Sequence, residues 1–183
     1  MTAAADALGV VRLAAAFVLP SALARAVGGQ GRWWPALLFA VGAASDFFDG
    51  VLARRGHGAT RHGAVLDNLA DIAFVLAGTV AGATLGLVPR AVPLAIGLAF
   101  ASYAAASLRG GQRARSAAGH TAGWLNYALV GLITGAAAVP GRVWVPLLAT
   151  AGWLVIGVNL AAVLSRVRFG TRSAGPREGG GCG

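Results

Sequence analysis

Residues 46–71 read DFFDGVLARRGHGATRHGAVLDNLAD, and this stretch holds four of the chain's six acidic residues: Asp46, Asp49, Asp67 and Asp71. Asp46 and Asp49 are three residues apart, and Asp67 and Asp71 are four apart. On helices each pair projects from one face. The segment between them, Arg54–Gly63, is short, so the two helices are expected to be antiparallel neighbours whose four carboxylates converge on one cavity. Left bare, such a cluster is unfavourable, since two like charges ~4 Å apart repel by about 4 kcal/mol at an effective dielectric near 20. Either some of the acids are protonated or a divalent cation neutralises them. An all-oxygen donor set suits Mg²⁺, Mn²⁺ or Ca²⁺ and not zinc. A buried ion-pair network with Arg54 is the competing reading, but one arginine does not balance four carboxylates.

The helices that carry these acids belong in a membrane. Of 183 residues, 57% are hydrophobic and only 11% charged, with a mean hydropathy of +0.70. A soluble domain carries about 25% charged residues to cover its surface. The formal net charge is +9, and all 15 basic residues are arginine. No arginine-rich strip is interleaved with aromatics, so acidic lipid and phosphorylated substrates are the expected partners, and nucleic acid is not. The single cysteine, Cys182, lies in a Gly-rich tail and forms no intrachain disulfide.

Apolar runs separated by Arg, Gly and Pro predict six spans, each near the ~20 residues a crossing needs, at 8–28, 33–53, 64–87, 91–108, 121–139 and 143–165. Residues 1–165 then form one membrane domain, and 166–183 a polar, disordered cytoplasmic tail. The first run resembles a secretory leader in its apolar centre and Ala-rich end. It is preceded by Asp6 and no base, however, and Arg12 sits inside it, so retention is expected. With the N-terminus inside, ten arginines (54, 55, 61, 109, 113, 115, 166, 168, 172 and 177) face the cytoplasm. Four (25, 32, 90 and 142) face the other side. This agrees with the positive-inside rule and puts both termini and the acid cluster on the cytoplasmic side. Gly78, Gly82 and Gly86, and likewise Gly131 and Gly135, recur every four residues and are expected to let helix backbones approach closely, within one subunit or between two.

A carboxylate inside a membrane helix costs a few kcal/mol, so four of them imply function. Gly50 and Ala53 lie near the helix face of Asp46, and Gly63 lies one turn before Asp67. These small residues leave room for a ligand, and Arg54 offers a fork suited to phosphate. Asp46-x-x-Asp49-Gly50-x-x-Ala53-Arg54, eight residues, Gly63-x-x-x-Asp67-x-x-x-Asp71 resembles the CDP-alcohol phosphatidyltransferase motif at all eight defined positions. The resemblance implies an all-α, polytopic integral membrane protein with six transmembrane helices, acting in phospholipid biosynthesis. It implies transfer of a phosphatidyl group from a CDP-linked lipid, commonly CDP-diacylglycerol, to an alcohol, with release of CMP. It implies Mg²⁺ or Mn²⁺ held by Asp46, Asp49, Asp67 and Asp71, with Asp71 as general base. Asp49, Gly50, Ala53, Arg54, Gly63 and Asp67 would form the CDP site, and the enzyme would be a homodimer, in the inner membrane if the source is bacterial.

The chain departs from the pattern in two places. Many members that use glycerol phosphate carry Asn, Thr and Arg at fixed spacing near the N-terminus; here the matching positions are Asp6, Gly9 and Arg12. Many also carry a base after the last motif aspartate, where this chain has Ile72. Arg109, Arg113 and Arg115, with His120, form a loop suited to a phosphorylated acceptor, or equally to lipid headgroups. Glycerol 3-phosphate is therefore the leading acceptor, with inositol phosphate, another alcohol or a phospholipid as alternatives. His57 and His62 read as solvated loop residues. Asn126 and Tyr127 read as interfacial packing, with cavity lining as the alternative, and the five tryptophans as anchors and core. A cation or proton transporter is the rival of a different class; it would need acids spread through the membrane depth, and these gather at one side.

Overall fold

Each apolar run becomes one helix: α1 (Thr2–Val27), α2 (Trp34–Arg55), α3 (Arg61–Thr84), α4 (Ala91–Leu108), α5 (Ala117–Ala138) and α6 (Trp144–Arg172). This computed structural model describes residues 2–55, 61–108 and 117–172, and side chains within 9–45, 68–107 and 119–167. Among the described residues there is no strand. Several expected boundaries move. Arg54 and Arg55 lie on α2 and Gly63 on α3, not in a connecting turn. His120 lies on α5, not in a loop, and α6 continues through Arg172 into the stretch expected to be tail. Alanine and arginine are both strong helix formers, so the helices outrun the apolar windows that mark them.

Two helix ends are set by glycine. Gly29 (φ 88°) and Gly86 (φ 73°) occupy the left-handed region, where a Cβ would be strained. At the first, Gln30 N–H donates to Arg25 O (2.9 Å) and Gly29 N–H to Ala26 O (3.0 Å); at the second, Leu87 N–H donates to Gly82 O (2.8 Å) and Gly86 N–H to Ala83 O (3.2 Å). Both are Schellman caps, which satisfy the last carbonyls of a helix. Gly86 thus ends α3 and leaves the packing stripe to which its spacing assigned it.

The other spaced glycines do seat neighbouring helices. A Cβ at Gly78 would lie 2.8 Å from Val130, one at Gly82 would lie 2.9 Å from Ile133, and one at Gly131 would lie 2.9 Å from Phe39. These approaches are all within the one chain. Contacts at rising positions pair α3 with α5 in parallel (71 with 127, 78 with 130, 82 with 133). α2 is antiparallel to α3: Gly42 meets Phe74, and Ser45 and Asp71 share Arg12. The helices therefore alternate in direction, with α1 packed on both α2 and α3. The two acid-bearing helices were expected to be direct neighbours. They do meet directly, where Phe74 packs on Gly42 and Phe39, and α1 lies against both.

Unlike a soluble protein, the bundle is apolar on its outside as well as in its core of residues such as Leu19, Phe74 and Ile133. Phe17, Leu94, Trp124, Val145 and Trp153 all face outward, whereas Arg12, Ser45, Thr79, Asn126, Thr134 and Asn159 are buried. Exposed apolar surface on this scale marks contact with a partner or with lipid. Gly9–Val27 and Trp144–Val167 are long and apolar enough to cross a membrane, and Trp34–Ser45, Asn68–Thr84 and Ala91–Ser107 form shorter apolar stretches.

Candidate active site

Asp71 sits on α3 with its side chain 27% exposed, and two of its described partners are donors from other helices. Arg12, wholly buried on α1, donates from Nη1 to Asp71 Oδ1 at 2.5 Å. Tyr127 on α5 donates its hydroxyl to the same oxygen at 2.9 Å. Arg12 also donates from Nε to Ser45 Oγ on α2 at 3.3 Å, and Ser45 in turn donates to the Gly42 carbonyl at 2.8 Å. One arginine therefore ties α1, α2 and α3 together at the carboxylate. Burying a guanidinium costs several kcal/mol unless it is paired and fully hydrogen-bonded, and these contacts supply that pairing. Aromatic rings back the knot from the bundle interior. Tyr127 stacks on Phe74 (centroids 6.0 Å apart), and Phe74 on Phe39 (6.4 Å). Gly42 lets Phe74 approach, since a Cβ there would lie 2.9 Å from the ring.

The remaining motif positions follow from this frame by backbone placement. Asp46 is the residue after Ser45 on α2, and Asp67 lies one turn before Asp71 on α3. The side chains of Asp46, Asp49, Gly50, Ala53, Arg54, Gly63 and Asp67 lie outside those described, and Arg109, Arg113 and Arg115 lie outside the described residues altogether. Among the described residues no group of three metal-ligating side chains forms, because Asp71 alone of the four aspartates is within that set. A donor set of carboxylates only, with no sulfur or imidazole at metal spacing, fits a hard divalent cation.

Residues 2–167, nearly the whole chain, match the sequence profile of the CDP-alcohol phosphatidyltransferases. The chain belongs to the CDP-alcohol phosphatidyltransferase family. It is 49% identical over 51 residues to the CDP-diacylglycerol–glycerol-3-phosphate 3-phosphatidyltransferases of Escherichia coli (strain K12) and Shigella flexneri serotype 5b (strain 8401). That stretch is 26% of this chain and 28% of each relative, so the chain spans little more than a quarter of the length of the curated relatives it matches. No solved structure gives a significant match.

In this CDP-alcohol phosphatidyltransferase family member three polar residues gain roles that their sequence positions understated. Arg12 makes a buried ion pair with Asp71; the side chain of Arg54, weighed in the competing reading, lies outside those described. A lone arginine in an apolar run has few options but an internal carboxylate, so Arg12 carried a legible signal. Tyr127, read as interfacial packing, touches Asp71, and no spacing links positions 71 and 127. Asn126 pairs with Asn159 in the α5–α6 interface (Nδ2 to Oδ1, 2.8 Å from Asn159 and 3.4 Å in return) and does not join the knot. Arg166, assigned to the tail, instead fastens α6 to α4. It donates to Ala99 O (2.9 Å) and Ser102 Oγ (2.8 Å) and lies over the Tyr103 ring.

Proposed function

We propose that the chain is a six-span membrane enzyme that transfers a phosphatidyl group from CDP-diacylglycerol to an alcohol and releases CMP. The observation that carries this reading is the eight-position motif at residues 46–71 within a family match over residues 2–167. Outward apolar side chains on helices of alternating direction support the six spans, and the arginine asymmetry supports cytoplasmic termini and a cytoplasmic active site. The membrane domain then extends to about the end of α6. The functional enzyme is a homodimer.

Asp46, Asp49 and Asp67, with a contribution from Asp71, would hold Mg²⁺ or Mn²⁺ beside the diphosphate. Such a cation would supply positive charge to offset that of the diphosphate. Gly50, Ala53 and Gly63 leave space for the cytidine nucleotide, and Arg54 pairs with phosphate. Asp71 takes the proton of the acceptor hydroxyl while that oxygen forms its bond to the lipid-bearing phosphorus. The bond from that phosphorus to the CMP oxygen breaks, and its electron pair leaves with CMP. Arg12 pairs with Asp71 and holds it in place as the acceptor approaches.

Glycerol 3-phosphate is the proposed acceptor. The similarity to glycerol-3-phosphate 3-phosphatidyltransferases supports it, as do Arg109, Arg113 and Arg115, which fall in sequence between α4 and α5. Asp6, Gly9 and Ile72 stand against it, which makes the acceptor the first quantity to measure. Purified protein is incubated with radiolabelled CDP-diacylglycerol and, separately, glycerol 3-phosphate, inositol phosphate, free alcohols and phosphatidylglycerol. Phosphatidylglycerol phosphate as the labelled product supports the proposal. A different lipid product moves the acceptor, and the absence of any CMP release rejects the enzyme.

A further inference from the structure

We infer that Tyr127 is a positioning residue for Asp71: its hydroxyl fixes the rotation of the carboxylate that takes the acceptor's proton. This rests on the transfer reading proposed above and adds to it a residue outside the 46–71 motif. The Tyr127 hydroxyl donates to Asp71 Oδ1 at 2.9 Å, and Arg12 donates to the same oxygen from the opposite helix neighbour. Two donors converging on one carboxylate oxygen from α1 and α5 restrict both its χ1 rotamer and the turn of its plane. Because Asp71 is 27% exposed, its carboxylate would otherwise sample several rotamers against solvent or substrate. The donor is itself immobilised. The Tyr127 ring stacks on fully buried Phe74 at 6.0 Å, and Phe74 is seated against Gly42, where no Cβ intrudes.

The two donors divide the work by their chemistry. Arg12 supplies charge, which a neutral phenol does not. Tyr127 supplies direction, because a phenol hydroxyl on a stacked ring has one donor and little freedom. Proton transfer and attack need reacting groups held close to their productive geometry, so loss of direction lowers the rate of the chemical step and leaves ground-state binding of the lipid donor alone.

Tyr127→Phe tests this, since it keeps the ring stack and removes only the hydroxyl. Steady-state kinetics with CDP-diacylglycerol and the acceptor varied in turn are measured alongside thermal unfolding in detergent. The expected result is a kcat lower by roughly ten- to a hundredfold, the range for a hydrogen bond to a charged group. Both KM values should stay close to wild type, and the melting temperature should fall by no more than the few degrees that one hydrogen bond contributes. An unchanged kcat overturns the inference, as does a fall in kcat matched by a rise in the CDP-diacylglycerol KM, which would assign the hydroxyl to donor binding. If kcat returns to the wild-type value when the variant is assayed well below its melting temperature, the contact is structural and the inference fails. Wild-type protein that releases no CMP with any acceptor rejects the transfer reading itself, a result recognised before the variant is measured.

Discussion

Replacing Arg12 with Met tests the polar knot. Met keeps an unbranched apolar stem and removes the charge and the two described donations, to Asp71 Oδ1 and Ser45 Oγ. Breaking a buried ion pair by removing one partner costs about 3–5 kcal/mol, because the other charge is stranded. Asp71 is 27% exposed, so water recovers part of that cost and the lower end applies. Ser45 still donates to Gly42 O, so its loss of one incoming bond adds only about 0.5–1 kcal/mol. The sum is about 3–4 kcal/mol. At about 2–4 °C per kcal/mol for a chain of this size, the melting temperature should fall by roughly 6–16 °C. Unfolding in detergent is followed by fluorescence of the five tryptophans. Arg12→Met combined with Asp71→Asn removes both charges of the pair, and the side-chain amide oxygen of the substituted residue still accepts from Tyr127. The double variant should therefore recover most of the loss. If Arg12→Met melts like wild type, or the double variant is no more stable than the single, the ion pair does not hold these helices together.

Turnover should vanish in EDTA and return with Mg²⁺ or Mn²⁺; full activity in chelator would refute a metal held by the aspartates. Asp71→Asn should abolish transfer and leave CDP-lipid binding largely intact, whereas Asp49→Asn should weaken cation and CDP binding, both read by binding and turnover assays. Equal loss of binding in the two variants would refute that division of roles. Arg113→Ala and Arg115→Ala should each raise the acceptor KM about ten- to a hundredfold if the acceptor carries phosphate, with the CDP-lipid KM unchanged. An unchanged acceptor KM would return those arginines to lipid contact. Gly82→Val should destabilise by about 1–3 kcal/mol, because even its Cβ would sit 2.9 Å from Ile133; wild-type melting would show that α3 and α5 are free to separate.

Residue pattern alone determined the helical class, the number of helices and the family. Those properties are local or compositional. Apolar runs of sufficient length fold as helices wherever they pack, and eight motif residues at fixed spacing need no tertiary contact to be read. The close packing at Gly78, Gly82 and Gly131 was legible for the same reason, whereas Gly86 shares their spacing and serves a turn. Only the tertiary structure decided that α1 lies against both α2 and α3, that Arg12 is a counterion of Asp71, and that Tyr127 reaches that carboxylate across 56 positions of sequence. Helical periodicity specifies which face a residue occupies along its own axis but not how one helix is rotated toward another. That rotation is chosen by the fit of side chains such as Phe74 against Gly42 and Leu19 against Gly78, summed over the whole bundle, and a polar pair forms only where the sum happens to bring its members within reach.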